Sequence, residues 1–341
     1  APRAPVKDQW SPRLGVGYPI TDRTAFHFSY GQFYQFPDLV NMYNYSNYHG
    51  EGISPPGWSD EANDLAKDFL YGNPYYPFPY NITDWYIPEV GTPNVKPQRS
   101  VQYETGLRTR IGNQYLLTAN LYYKDMFDYI ASKRYDADPS QYAIYENMDY
   151  ANSRGLEITL KKLFSNGFDW DLNYTLARAE GNAPTPDYHW YVAEWASGYD
   201  WRDFNRTYTM PWDQTHTINF RLNYFTPTGF GLSSIANYGS GLPYTPEDAR
   251  ARPIDEQYSG RMPSTSNVNL KLFYDRKMMG YDVRFFADIP NLFDKENVLA
   301  VDNTTGEPDA TLDSGQSPMV VWKPYYISAP RHIELGISIS R

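Results

Sequence analysis

Two sets of residues carry the chemistry that this sequence offers. The first is aromatic: Tyr188, Trp190, Trp195 and Trp201 fall in one irregular stretch, 182–212, and Trp58 and Trp85 in another, 37–97. Exposed indole and phenol rings stack on sugar faces, peptide side chains or aromatic chelators and bury area at little entropic cost. These six are therefore the candidate contacts for a small-molecule, glycan or peptide ligand. Rings that cap a loop by packing on one another, or that sit at a membrane interface, would give the same composition. The second set is charged. Glu104, Arg108, Arg110, Glu157, Lys161 and Arg284 each occupy the polar position of an alternating polar and apolar run. Ionised groups are not tolerated in a dry core without partners, so these six are expected on a wet face, as a lattice of ion pairs.

Other residue types offer less. The five His are scattered, and no nucleophile and base stand in a recognisable constellation, so the sequence reads as no enzyme, with no catalytic residue, metal centre or cofactor. His27 and His332 are expected to make hydrogen bonds on polar strand faces. Asp302-Asn303-Thr304-Thr305-Gly306-Glu307, followed by Asp309 and Asp313, supplies oxygen ligands suited to calcium but not the spacing of an EF-hand. Asn, Asp and Gly also make plain turns, and a turn is the expectation there.

The elements that position these residues are strands. Leu156, Ile158 and Leu160 alternate with Glu157, Thr159 and Lys161, and beyond Ser165-Asn166-Gly167 the residues Phe168, Trp170, Leu172, Tyr174 and Leu176 alternate with Asp169, Asp171, Asn173 and Thr175. Period two on both sides of an Asn-Gly turn predicts a β-hairpin with one apolar, aromatic face and one charged face. The same device recurs along the chain. Short turns at 19–23, 112–114, 226–229 and 277–280 alternate with long loops near 37–97, 182–212, 241–265 and 294–327, and a medium loop runs through 136–139.

Composition narrows the architecture. No apolar run approaches about 18 residues, which excludes a transmembrane helix but not a transmembrane β-barrel, whose alternation dilutes its apolar residues. Mean hydropathy is -0.65. Aromatics make up 17% of the 341 residues, with 33 Tyr and 9 Trp, more than a soluble core needs and suited to interfacial girdles. The net charge of -10 argues against a nucleic-acid partner. The absence of Cys removes disulfides and thiol chemistry. Residues 1–10 lack the apolar run of a secretion signal and are expected as a lead-in. The chain from 11 to 341 is then an all-β, antiparallel transmembrane barrel segment, with polar residues inward, apolar residues toward outer-membrane lipid and long loops extracellular.

Several segments carry a family resemblance. Ser11-Pro12-Arg13-Leu14-Gly15-Val16-Gly17-Tyr18, Lys96-Pro97-Gln98 followed by Tyr103-Glu104-Thr105-Gly106-Leu107, and Asn152-Ser153-Arg154-Gly155-Leu156-Glu157 are three. Trp212-Asp213-Gln214-Thr215-His216-Thr217, Tyr238-Gly239-Ser240-Gly241-Leu242-Pro243-Tyr244-Thr245-Pro246 and Asn291-Leu292-Phe293-Asp294-Lys295 complete the set. In this order they resemble the C-terminal half of the barrel of TonB-dependent outer-membrane receptors, above all those with an N-terminal extension resembling a carboxypeptidase regulatory domain. The resemblance implies a ligand-gated importer of a scarce solute in the bacterial outer membrane, driven by a TonB-type energy-transducing complex. Neither a plug nor an energy-coupling box is recognisable in these residues.

Parity leads to the same missing part. The chain offers about eleven strands, and bacterial single-chain barrels have even numbers. Eleven is half of the roughly 22 strands of plugged transporters, so an N-terminal barrel half with a plug, in the same or a separate chain, is the expected partner. A non-transporting scaffold or surface-binding subunit of a larger complex is the alternative.

Overall fold

The computed structural model describes residues 5–43, 89–135, 142–184, 206–248, 253, 256–313, 318–322 and 324–341. One antiparallel sheet holds eleven strands in sequence order: β1 (Arg13–Pro19), β2 (Thr24–Gln35), β3 (Gln98–Ile111), β4 (Tyr115–Tyr135), β5 (Tyr142–Ser165), β6 (Phe168–Gly181), β7 (His216–Phe225), β8 (Phe230–Gly239), β9 (Thr265–Met278), β10 (Tyr281–Ile289) and β11 (Glu334–Ser340). Each strand pairs with its neighbours in sequence, as in an up-and-down meander. Among the described residues β1 pairs only with β2, and β11 only with β10.

Two of the short turns form where consecutive residues are left-handed. Asn166 and Gly167 have φ of 55° and 86°, and Met279 and Gly280 of 52° and 83°. Two consecutive positive φ values define the type I′ turn, whose twist matches that of the flanking strands.

Register aligns side chains of one character across the sheet. Leu117, Leu160, Leu172, Phe220, Ala236 and Val268 are successive partners on one face. One residue along, Arg108, Thr118, Thr159, Asn173, Asn219, Asn237 and Asn267 form the corresponding row on the other. Aromatic rings bound the apolar face on both sides. Tyr123 and Tyr115 lie eight residues apart on β4, as do Tyr238 and Phe230 on β8. At about 3.4 Å per residue this is about 27 Å along a strand, which a tilted strand brings within the apolar band of an outer-membrane barrel, about 25 Å tall. Tyr115 and Trp170, with ring centroids 6.2 Å apart, and Trp170 and Phe220, at 6.3 Å, continue the lower band.

The sheet has little interior of its own. Among the described residues the buried apolar side chains are Val95, Ile130, Ala131, Ala143, Ala151, Met210 and Val301, and all lie toward the long-loop rim. Leu335 is 80% exposed and Ile337 62%. Such a row on an edge strand requires lipid and a neighbouring strand to cover it.

Two expectations need correction. Alternation predicts strands of about ten residues, but β4 and β5 run for 21 and 24 residues; the medium loop expected through 136–139 lies outside the described residues. A bulge between Met126 and Tyr129, with Asp128 at φ 59°, shifts the register there and breaks the period-two pattern while the pairing continues. The long loops also contain strands: Glu89–Val90 joins β5 in parallel, Tyr208–Thr209 joins β6, Pro243–Tyr244 pairs with Gly260–Arg261, and Asp309–Asp313 pairs with Pro318–Trp322. Around 302–307 the expected turn forms. The Gly306 N–H donates to the Asp302 carbonyl (2.8 Å), and Asp302 Oδ1 accepts from the Thr304 N–H (3.0 Å) and hydroxyl (2.6 Å).

Candidate functional site

The charges on the polar face divide into two regions. From β6 to β10 they are paired. Arg221 donates from Nε to Asp171 (2.8 Å), and its Nη2 lies 2.6 Å from the same carboxylate. Arg284 grips Asp275 with both Nε (2.6 Å) and Nη2 (2.8 Å), with its guanidinium 4.5 Å from the centre of the Phe273 ring. Lys271 lies 3.3 Å from Asp288. These are cross-strand pairs on a wet surface, each worth a few tenths of a kcal/mol to about 1 kcal/mol.

From β3 to β5 the pattern is mixed: toward the long-loop rim Lys133 lies 3.3 Å from Glu146, and on the apolar side, beside Tyr123, Arg154 lies 3.0 Å from Glu180. Arg108, Arg110, Glu157 and Lys161 stand on the polar face by register, yet none forms an ion pair with another described residue. Lys161 faces Asp171 across β6, but Arg221 occupies that carboxylate. Glu104 lies 3.8 Å from His27. Arg108, Arg110, Arg23 and Asp22 line an open cleft of about 670 Å³ beside the short turn between β1 and β2.

At the long-loop rim the polar residues act as clamps. Asp213, whose side chain is 1% exposed, accepts from the Ala179 N–H (2.7 Å) and from Arg261 Nη2 (2.7 Å). Arg261 Nη1 also reaches the carbonyls of Asp213 (2.9 Å) and Gly241 (3.2 Å). Gln214 donates to the Ser240 carbonyl (3.1 Å), and the His216 N–H to Ser240 Oγ (3.0 Å). A Cβ at Gly241 would strike the Met262 carbonyl, so glycine lets these backbones meet. In the same region Tyr258, with its N–H on Thr245 Oγ1 (3.1 Å), has its phenol pKa raised by burial.

Asn291 makes the second clamp: its amide donates to the carbonyls of Lys295 and Ala329 (3.1 Å each) and accepts from the Lys295 N–H (3.0 Å). Asn297 holds both the N–H (2.8 Å) and the carbonyl (2.9 Å) of Ser266. Sequence patterning does not single out Arg261 or Asn297. They lie far from their partners along the chain, and only the motifs around Trp212 and Asn291 point to the region.

Of the residues singled out for function, Glu104, Arg108, Arg110, Glu157, Lys161 and Arg284 therefore share the polar face, and only Arg284 is held by a full ion pair. The aromatic candidates Tyr188, Trp190, Trp195, Trp201, Trp58 and Trp85 lie outside the described residues. Among the described residues no group of three or more His, Cys, Asp and Glu is arranged to hold a metal ion.

An antiparallel meander with an aromatic-bounded apolar face and a charged, amide-rich face defines an outer-membrane β-barrel wall. The TonB dependent receptor-like, beta-barrel family model matches residues 3–292, and the chain belongs to that family, in the bacterial outer membrane. Solved structures share the fold. The outer membrane transporter YddB from Escherichia coli superposes with a TM-score of 0.60 at 12% identity, over 96% of this chain and 40% of that one. The ferric enterobactin receptor PfeA from Pseudomonas aeruginosa, in a mutant form, gives 0.57 at 15% identity, over 97% and 40%. The FrpB iron transporter from Neisseria meningitidis gives 0.53 at 12%, over 96% and 38%. The chain thus spans about two fifths of the length of these receptors. No curated protein is significantly similar to it in sequence.

Proposed function

We propose that this chain is the C-terminal half of a plugged outer-membrane receptor that imports a scarce solute at the expense of a TonB-type energy-transducing complex. One observation carries the reading: the first and last strands of an odd-numbered meander are both unpartnered on their outer edges among the described residues, a state that hydrocarbon does not tolerate. An N-terminal half of about eleven further strands would cover both edges and bring the count to the roughly 22 of plugged transporters.

In that barrel the polar face lines the lumen, the short turns face the periplasm and the long loops face outside. The plug meets Glu104, Arg108 and Arg110. Charges left unpaired on one part of the wall, beside a paired lattice elsewhere, are what an incoming domain with counter-charges would complete. Tyr188, Trp190, Trp195 and Trp201, with Trp58 and Trp85, supply stacking contacts for the solute outside.

The test compares solute depletion from spent medium by wild-type cells and by cells lacking the receptor gene, each with and without a protonophore. Import predicts a compound that only energised wild-type cells remove. Depletion that needs the receptor but not an energised membrane would favour a scaffold that binds at the surface without transport, and equal depletion by all four cultures would overturn import.

A further inference from the structure

A row of rings on the lipid-facing side of the sheet ends in two arginines. Tyr30, Tyr103 and Tyr123 are successive partners on β2, β3 and β4, and the next two places in the same row are Arg154 on β5 and Arg178 on β6. Strand alternation puts both arginines on the face of Leu156, Leu160 and Leu176. They stand at the long-loop edge of the apolar band, the height at which tyrosine rings meet lipid headgroups. β5 and β6 are paired on both edges, so no further strand is needed beside them, and lipid is what this face meets.

Like charges directly opposite one another on a sheet repel, and a single carboxylate holds this pair. Glu180, its side chain 17% exposed, takes Arg154 Nη2 (3.0 Å) and Arg178 Nη2 (2.6 Å) on its two oxygens. Arg154 Nη1 donates to Asn152 Oδ1 (3.0 Å). The other acid at this height, Asp125, stands in register with Asn152 and accepts from the Tyr150 hydroxyl (2.6 Å). Nε of Arg154, and Nε and Nη1 of Arg178, have no partner among the described residues, and the two side chains are 43% and 58% exposed.

We infer that Arg154 and Arg178 form a docking site for the phosphate of an outer-leaflet lipid; the choice of leaflet rests on the orientation proposed above. The guanidinium fork matches phosphate oxygens two at a time. Glu180 keeps the two forks side by side, and the trio of Arg154, Arg178 and Glu180 retains one net positive charge for the headgroup. The acyl chains run down over Leu121, Leu156 and Leu176, which form the next lipid-facing row.

The experiment is native mass spectrometry of the full receptor in a non-ionic detergent, titrated with diphosphoryl lipid A and with the same lipid stripped of both phosphates. The phosphorylated form should bind about tenfold more tightly or better. Arg178→Gln, which leaves Glu180 its partner Arg154, should weaken that binding about fivefold, the effect of one cation beside an anionic headgroup. Arg154→Gln, Arg178→Gln and Glu180→Gln combined strand no charge and should abolish the preference for phosphate. Lys277→Gln, at a short turn on the opposite rim, should change nothing. Heat-modified gel migration checks that each variant is folded. Equal binding of the two lipids by the wild type, a phosphate preference that survives the triple replacement, an equal loss in Lys277→Gln, or displacement of the lipid by equimolar inorganic phosphate would each overturn the assignment. The titration needs neither an energised membrane nor a fixed orientation. Its failure would therefore leave the import reading standing, and failed uptake would leave this site standing.

Discussion

Asp213 and Arg261, 48 residues apart, meet at 2.7 Å across the long-loop rim, and the carboxylate is almost wholly withdrawn from solvent while the guanidinium stays 40% exposed. The pair fastens the segment between β6 and β7 to the one between β8 and β9. Arg261→Leu should leave a buried, uncompensated charge. Losses of this type run to about 3–5 kcal/mol, and the exposure of Arg261 argues for the lower end. Urea titration in lipid vesicles measures the cost. Adding Asp213→Asn to the same chain should recover part of it, because the uncompensated charge is then gone.

The two faces of β6 should respond oppositely to a cation. Leu172→Arg puts a charge into the middle of the apolar row and is expected to cost about 2–4 kcal/mol, whereas Asn173→Arg on the polar face should be mild. Equal folding yields of the two variants in lipid would contradict the assignment of the faces.

Orientation can be read with thiols, since the chain has no Cys. Asn303→Cys, exposed in a long loop, should react with an impermeant maleimide on intact cells. Asn113→Cys, exposed in a short turn, should react only after lysis. The reverse pattern would turn the barrel over and remove the long loops from the solute side.

The aromatic candidates can be weighed against the wall. Joint replacement of Trp190 and Trp195 by Ala should raise the concentration for half-maximal uptake. Stacking contacts are worth about 0.5–1.5 kcal/mol each, so a shift of roughly tenfold is the expected scale. Unchanged uptake would assign these rings to the loop's own packing.

Much of the wall was legible because a strand writes its two faces into alternate letters. Leu156, Ile158 and Leu160 against Glu157, Thr159 and Lys161 fixed both the faces and the hairpin partner, and Asn166-Gly167 fixed the turn. Legibility ended where that period failed. The bulge between Met126 and Tyr129 hid the upper halves of β4 and β5. The clamps were illegible for another reason: Asp213 with Arg261, and Asn297 with Ser266, are joined by loop geometry, which leaves no repeat in the sequence.

The meander has a kinetic corollary. Every pairing along the sheet path joins consecutive strands, so the wall can zip from any hairpin at low loop-closure cost, and local contacts of this kind favour rapid folding. Closing the ring is different, because β11 must find a strand at the far end of the completed barrel. That seam is a long-range search, and it sets the interval during which the apolar edge of Ile333, Leu335, Ile337 and Ile339 stays open to capture by chaperones or by other chains.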